Sequence, residues 1–252
     1  MSDPNNPDVE PEPELQRPEL IPDPDTPPEP PPATTPTVES YVTNGADLSA
    51  VGGTWGALIT TGPAGTMLVF VGGCHSYGPS FTGTITSITA TPTGGGSPIA
   101  FASIAAFGAT AAAKLFLYAA AGLTPLTEYS VQVVFAGNPV VSGMVISIAG
   151  GISTGVPATS VCPPGSANNP TVTIDTAGKE ALILSAVRES NIPTITPGAG
   201  QTEIGRNTYP TPGTQVYADQ KTATGSSITE TVTIGAGATG EGVYGAFPIF
   251  GT

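Results

Sequence analysis

The chain holds one histidine, two cysteines and few carboxylates outside its first forty residues, which narrows the chemistry at once. His75 excludes a multi-histidine metal site and leaves room for a single triad centre. Its neighbours Cys74, Ser76 and Tyr77 are adjacent in sequence, but adjacency does not supply nucleophile–base geometry. His75 therefore reads as a strand-end or loop histidine. Cys74 and Cys162 lie 88 positions apart, too few and too far for a clustered-thiolate zinc site. Two small buried hydrophobes are expected in preference to a disulfide. Gly62-Pro63-Ala64-Gly65-Thr66 lacks the lysine of a phosphate-binding loop and reads as a turn, and no G-x-S-x-G elbow occurs. The body carboxylates Asp175, Glu180, Glu189, Glu203, Asp219, Glu230 and Glu241 are scattered. Sugar hydrolysis needs two carboxyls about 5–10 Å apart, and no spacing here selects a pair. Asn168, Asn169 and Asp175 are too thin a cluster for calcium. The chain reads as a non-enzyme with no catalytic residue, no metal site and no cofactor.

Sugar platforms use exposed aromatics. Trp55, Tyr77, Tyr209, Tyr217 and Tyr244 are available, and Tyr209, Tyr217 and Tyr244 are the glycan-contact candidates. Tyr209, flanked by Pro210 and Pro212, is the best of them.

The elements that must position these residues fall into two regions that meet near Ser40. Residues 1–40 contain 13 of the 28 prolines, 10 of the 19 acidic residues, one basic residue (Arg17) and no glycine. Proline fixes φ and removes the amide donor, and too little apolar surface exists to offset ordering entropy. The expectation is an extended, polyproline-II-like arm reaching roughly 120 Å at about 3.1 Å per residue. Leu15, Leu20 and Ile21 are its candidate partner-binding anchors. No positive n-region or apolar h-region marks a signal segment.

Residues 41–252 contain all 33 glycines and read as an all-β body. Strands are expected at Met67–Val71, Thr84–Ala90, Leu115–Ala120, Glu128–Phe135, Val141–Ile148, Thr171–Ile174, Ala181–Val187, Thr214–Lys221, Ile228–Ile234 and Val243–Phe250. Tyr129, Val131, Val133 and Phe135 share one face. Ile228, Val232 and Ile234 do likewise, with Glu230 on their apolar face. That glutamate sits near a rim, pairs with a cation, or marks a different register. Ile99–Leu123 reads as two buried strands with a turn near Gly108–Ala113, because Lys114 is costly inside a bilayer. Gly150–Asn169 reads as a long, uncharged functional or interface loop. Ten to twelve short strands with Gly/Pro punctuation predict an antiparallel β-sandwich of jelly-roll type. It forms one large sandwich or two packed sub-domains split near residues 137–165.

The net charge is −13, of which the body carries −4 (nine acidic, five basic). Affinity for phosphate backbones and anionic membranes comes from Lys and Arg, so neither nucleic acid nor membrane is an expected partner. No heptads occur; a homo-oligomer is expected through sheet faces.

The succession VQVVFAGNPVVSGMVISIAGGISTGVP, PTVTIDTAGKEALILSAV, TPGAGQTEIG and GTQVYADQKTATGSSITETVTIGAGATGEGVYGAFPIF resembles a β-sandwich domain of tailed-phage virion proteins. The resemblance spans roughly residues 45–252 and is closest over 128–250. It implies a capsid decoration protein on the virion, partnered by the major capsid protein or other virion proteins. The alternative is a tail-associated receptor- or glycan-binding appendage. It implies no catalytic residue.

Overall fold

The computed structural model describes residues 34–47, 53–75, 84–110, 113–137, 139–162, 168–190, 193–209, 214–235 and 242–251. The anchors Leu15, Leu20 and Ile21 lie outside the described residues. By contacts the body begins at Ala33. Among the described residues every regular element is a strand, every pairing is antiparallel, and no helix is long and apolar enough to cross a membrane.

The first half contains β1 (Thr37–Asp47), β2 (Gly53–Thr60), β3 (Gly65–His75), β4 (Thr84–Pro92), β5 (Ile99–Ala100), β6 (Ala102–Thr110), β7 (Ala113–Ala121), β8 (Glu128–Ala136) and β9 (Val140–Ala149). The second contains β10 (Ser153–Thr154), β11 (Ala158–Cys162), β12 (Thr171–Ile174), β13 (Glu180–Ser190), β14 (Ile195–Pro197), β15 (Thr202–Tyr209), β16 (Thr214–Thr224), β17 (Ile228–Ile234) and β18 (Gly242–Phe250).

These strands make four sheets. The first half forms an outer sheet β2-β8-β4-β5 and an inner sheet β1-β9-β3-β7-β6. The second forms an inner sheet β10-β18-β13-β16-β15, with β11 also on β18, and an outer sheet β12-β17-β14. Position by position the halves repeat one plan. β1, β9, β3, β7 and β6 correspond to β10/β11, β18, β13, β16 and β15, and β2, β8, β4 correspond to β12, β17, β14.

Three apolar layers hold the four sheets. Trp55, Phe70, Tyr129, Val131 and Phe135 belong to the first-half core. Met67, Val69, Met144 and Ile146 meet Leu182, Leu184, Val216 and Phe247 in a shared core between the inner sheets. Ile174, Ile183, Val187, Tyr217, Val232 and Tyr244 form the second-half core. This layering explains the sequence patterns. β8 is covered on one face and alternates buried with exposed or half-buried positions. β9, β13 and β18 belong to inner sheets covered on both faces, so their side chains are buried almost throughout. That is why they read as unbroken apolar runs.

The body has two distinct ends. Thr34 and Thr35 line a cleft of about 470 Å³ with Ile152, Lys179, Phe250 and Gly251, so the chain enters and leaves the body at one end. The connections at that end are short turns within the described residues. At the far end lie the last residues of β1, β3, β6 and β8 and of their counterparts β11, β13, β15 and β17.

Several expectations need correction. Among the described residues there are eighteen strands, not ten to twelve. β1 starts at Thr37, so the composition boundary at Ser40 falls inside a strand. The segment Gly150–Asn169 contains β10 and β11, which pair with β18. Ile99–Leu123 does hold two long strands, but β6 is a sheet edge, half-buried to exposed where its side chains are described.

Candidate functional site

The second-half core encloses a polar network. Along β16 the residues Tyr217, Asp219 and Lys221 point to that core, as the two-residue period requires. Register pairs Thr202 with Gln220 and Glu203 with Asp219, which brings Gln201 beside Lys221. Glu230 enters from β17 in the facing sheet, 1% exposed. Its Oε1 lies 3.2 Å from Lys221 Nζ, and its Oε2 accepts from Gln201 Nε2 at 2.5 Å. Of the three alternatives for Glu230, pairing with a cation is the one observed. Gln201 Oε1 accepts from the Gly198 amide at 2.5 Å, and its Nε2 reaches the Tyr244 hydroxyl at 3.3 Å. Ser185 donates to Asp219 Oδ1. Burial pushes the Asp219 carboxyl up to about 7, against the pull of the Ser185 hydrogen bond. Burial likewise raises the Tyr217 and Tyr244 phenols.

A second buried group sits toward the far end of β13. Arg188 faces the first half's inner sheet, with its stem against Gly73, and its Nη1 donates to Ser190 Oγ at 2.9 Å. Glu189 faces the opposite side of the sheet, beneath Gly242. A side chain at Gly242 would collide with the carboxylate, so close approach requires glycine there. Burial pushes Glu189 up to about 7, with Arg188 opposing. Burial, then Glu189, raises the Cys162 thiol. Burial pushes Cys74 up to about 12. Both cysteines are free and buried, in the first-half and second-half cores respectively. Neither presents a thiolate at neutral pH.

The structure separates most of the sequence candidates. Tyr217 and Tyr244 are 0% exposed, which corrects their assignment as glycan contacts. Their strand positions point into the second-half core, and the Arg206 guanidinium covers the Tyr217 ring at 5.5 Å. Trp55 is buried too, donating from Nε1 to the Asn44 carbonyl at 2.9 Å. Tyr209 is half-buried, its ring packed on the Gly45 backbone. Tyr77 and Glu241 lie outside the described residues, as does the side chain of His75. Asn168 and Asp175 fall at opposite ends of β12, and Asp175 Oδ1 accepts from the Ala177 amide at 2.7 Å, closing a turn. Among the described residues no three His, Cys, Asp or Glu gather as a metal site would require.

What this arrangement does chemically is hold protons and tie elements together. One carboxylate, Glu230, joins β17 to β16 through Lys221 and to the β14–β15 turn through Gln201. A buried carboxylate such as Glu230 persists because it is paired with a cation. Sequence reasoning flagged Glu230 but missed Gln201, Ser185 and Arg188. The available signal was two-residue spacing from Tyr217 to Asp219 to Lys221.

The long seam between the halves is a further feature absent from the sequence reading. Where β1 borders β15, the Tyr41 ring packs on Gly205 and Tyr209 on Gly45. Asn207 donates to the Asn44 carbonyl, and Ser142 Oγ donates to the Asn207 carbonyl at 2.9 Å. Comparison with protein-family models, with curated proteins and with solved structures gave no match.

Proposed function

We propose that the chain is a virion structural protein of a tailed phage, a capsid decoration protein whose arm tethers it to neighbouring subunits. The observation that supports this most is the body's polarity. Thr34 and Gly251 lie together at one end, and the last residues of β1, β3, β6, β8, β11, β13, β15 and β17 lie at the other. A tethered body displayed on a surface needs that separation of attachment from presentation. The jelly-roll reading draws support from strand order. With β5 and β6 counted as one strand in two pieces, the first half pairs its eight strands 1-8-3-6 and 2-7-4-5. The burial of Tyr217 and Tyr244 weakens the tail-appendage alternative, whose sequence support was an exposed aromatic cluster.

The arm acts mechanically in this proposal. Proline-rich backbone is already extended, so docking it costs less ordering entropy than docking a glycine linker, and weak contacts along it add through effective concentration. The test is deletion of residues 1–33, which spares β1 and the Thr35 hydrogen bond to Glu180. The expected outcome is a folded body that no longer decorates particles. Full occupancy by the truncated chain would overturn the tether. Density for the chain on the tail, absent from the capsid lattice, would overturn decoration.

A further inference from the structure

The two seams between the halves are topologically equivalent. β1 and β11 hold matching places beside β9 and β18, and β15 and β6 hold matching places beside β16 and β7. One seam, β1 against β15, is sealed by Tyr41, Tyr209 and Asn207 as described above. The other, β6 against β11, has neither tyrosine nor asparagine in its two strands; there the Phe107 ring packs on Gly245 of β18. A cleft of about 280 Å³ remains there, lined by Ala106, Phe107, Gly108, Thr159, Ser160 and Val161. Large hydrophobics are exposed on and just before β11: Val161, which lines the cleft, is 53% exposed, and Val156 is 80% exposed.

The backbone at this seam is also unguarded. β6 is a nine-residue sheet edge, and natural edges of that length are protected by charge, proline or a covering element. No Asp, Glu, Lys or Arg occurs between Asp47 and Lys114, or between Glu128 and Asp175, so β6, β10 and β11 carry none.

We propose that the β6/β11 seam is a self-association surface, occupied by the same seam of a second copy in a twofold arrangement. Charge selects this occupant. The chain carries −13 overall, so two copies repel unless they meet where the surface is neutral. The acidic arm is a poor occupant, because no cation lines the cleft to receive it. A twofold contact needs one patch that complements itself, and here the exposed Val161 side chain lies beside an uncharged cleft. The inference does not depend on the virion reading.

The experiment is sedimentation of the full-length chain from about 1 to about 100 µM, where interfaces of standard size associate. The expected result is a rise to twice the 25.0 kDa chain mass. Added salt should strengthen association by screening the repulsion between copies. Val161→Glu and Ala106→Glu each place a like-charge pair near the twofold, and each should weaken association about a hundredfold. Both positions are exposed, and unchanged circular dichroism verifies the fold. Leu58→Glu, at an exposed apolar site on the first outer sheet, should leave association intact. Hydrogen exchange on the unmodified chain supplies a readout free of substitutions: the β6 and β11 amides should gain protection as concentration rises. The proposal is overturned by a single-chain mass throughout the range, by dimers that survive both seam substitutions, or by dissociation in Leu58→Glu alone.

Discussion

The two halves share one strand plan and differ in what they bury. From Thr37 to Ala149 the charged residues are Glu39, Asp47, Lys114 and Glu128. From Ser153 to Phe250 there are eleven, among them the buried Arg188, Glu189, Asp219 and Glu230. The first core is dry and aromatic, with Trp55 and Phe70 centroids 5.1 Å apart. The second is cross-tied by ions and hydroxyls. Outer-sheet size gives a physical reason. β2, β4 and β8 have 8, 9 and 9 residues, whereas β12, β14 and β17 have 4, 3 and 7. A smaller outer sheet removes less apolar area from water, and the Gln201–Glu230–Lys221 tie holds it with polar bonds instead. Strand order therefore does not dictate core chemistry; the area available to cover does.

The contrast can be broken most forcefully from the dry side. Trp55→Ala removes the largest fully buried side chain of the first core and its bond to Asn44, and should cost about 3–5 kcal/mol. Because the shared core couples the halves, calorimetry should still show one transition; two separate transitions would mean that the halves fold independently. On the polar side, Lys221→Met leaves the buried Glu230 carboxylate without its cation and should cost about 3 kcal/mol in urea unfolding at pH 7. Lys221→Met combined with Glu230→Gln should recover most of that loss, and failure to recover would deny the pairing.

Acidity sharpens the comparison next. Asp219 and Glu189 ionise in the unfolded chain near pH 4 but hold their protons to about 7 when folded. The folded state thus binds more protons between those values, and stability should fall as pH rises from about 4 to about 7. Asp219→Asn should flatten the fall and raise the melting temperature at pH 8; an unchanged profile would mean that Asp219 is ionised when folded. The smallest effect concerns the thiols. With Cys74 and Cys162 in separate cores, reductant should leave the melting temperature unchanged, and a thiol reagent should react only as the chain unfolds.

Inner strands were legible in the sequence; among edge strands β12 was read with its observed bounds, whereas β1 and β15 were not. β3, β9, β13 and β18 are covered on two faces or nearly so, and burial leaves an apolar run that can be read directly. β1 (TVESYVTNGAD) and β15 (TEIGRNTY) lie at sheet edges, where exposure permits polar residues and blurs the two-residue period. The duplicated plan was invisible for a related reason. Corresponding strands share positions in a sheet but not side chains, since one half met its packing needs with aromatics and the other with ions. Glu230 stood out because a lone acid interrupted an apolar face. Arg188 and Glu189 did not, because they follow an apolar run where a strand commonly reaches solvent. The glycan reading of Tyr217 and Tyr244 failed because composition reports how many aromatics a chain has and says nothing about which way each one faces.

The link between the halves is three residues long, from Gly150 to Ile152. Two equivalent sandwiches joined so tightly behave as a dimer written on one backbone. Dilution cannot separate such a pair. In a true homodimer every substitution appears twice, once in each subunit, and an ion that suits one side must suit the other. Fusion lifts that constraint. Each copy of the plan can then change alone: one half holds a tied network of buried acids, while its twin keeps four charged residues between Thr37 and Ala149 and none in its core.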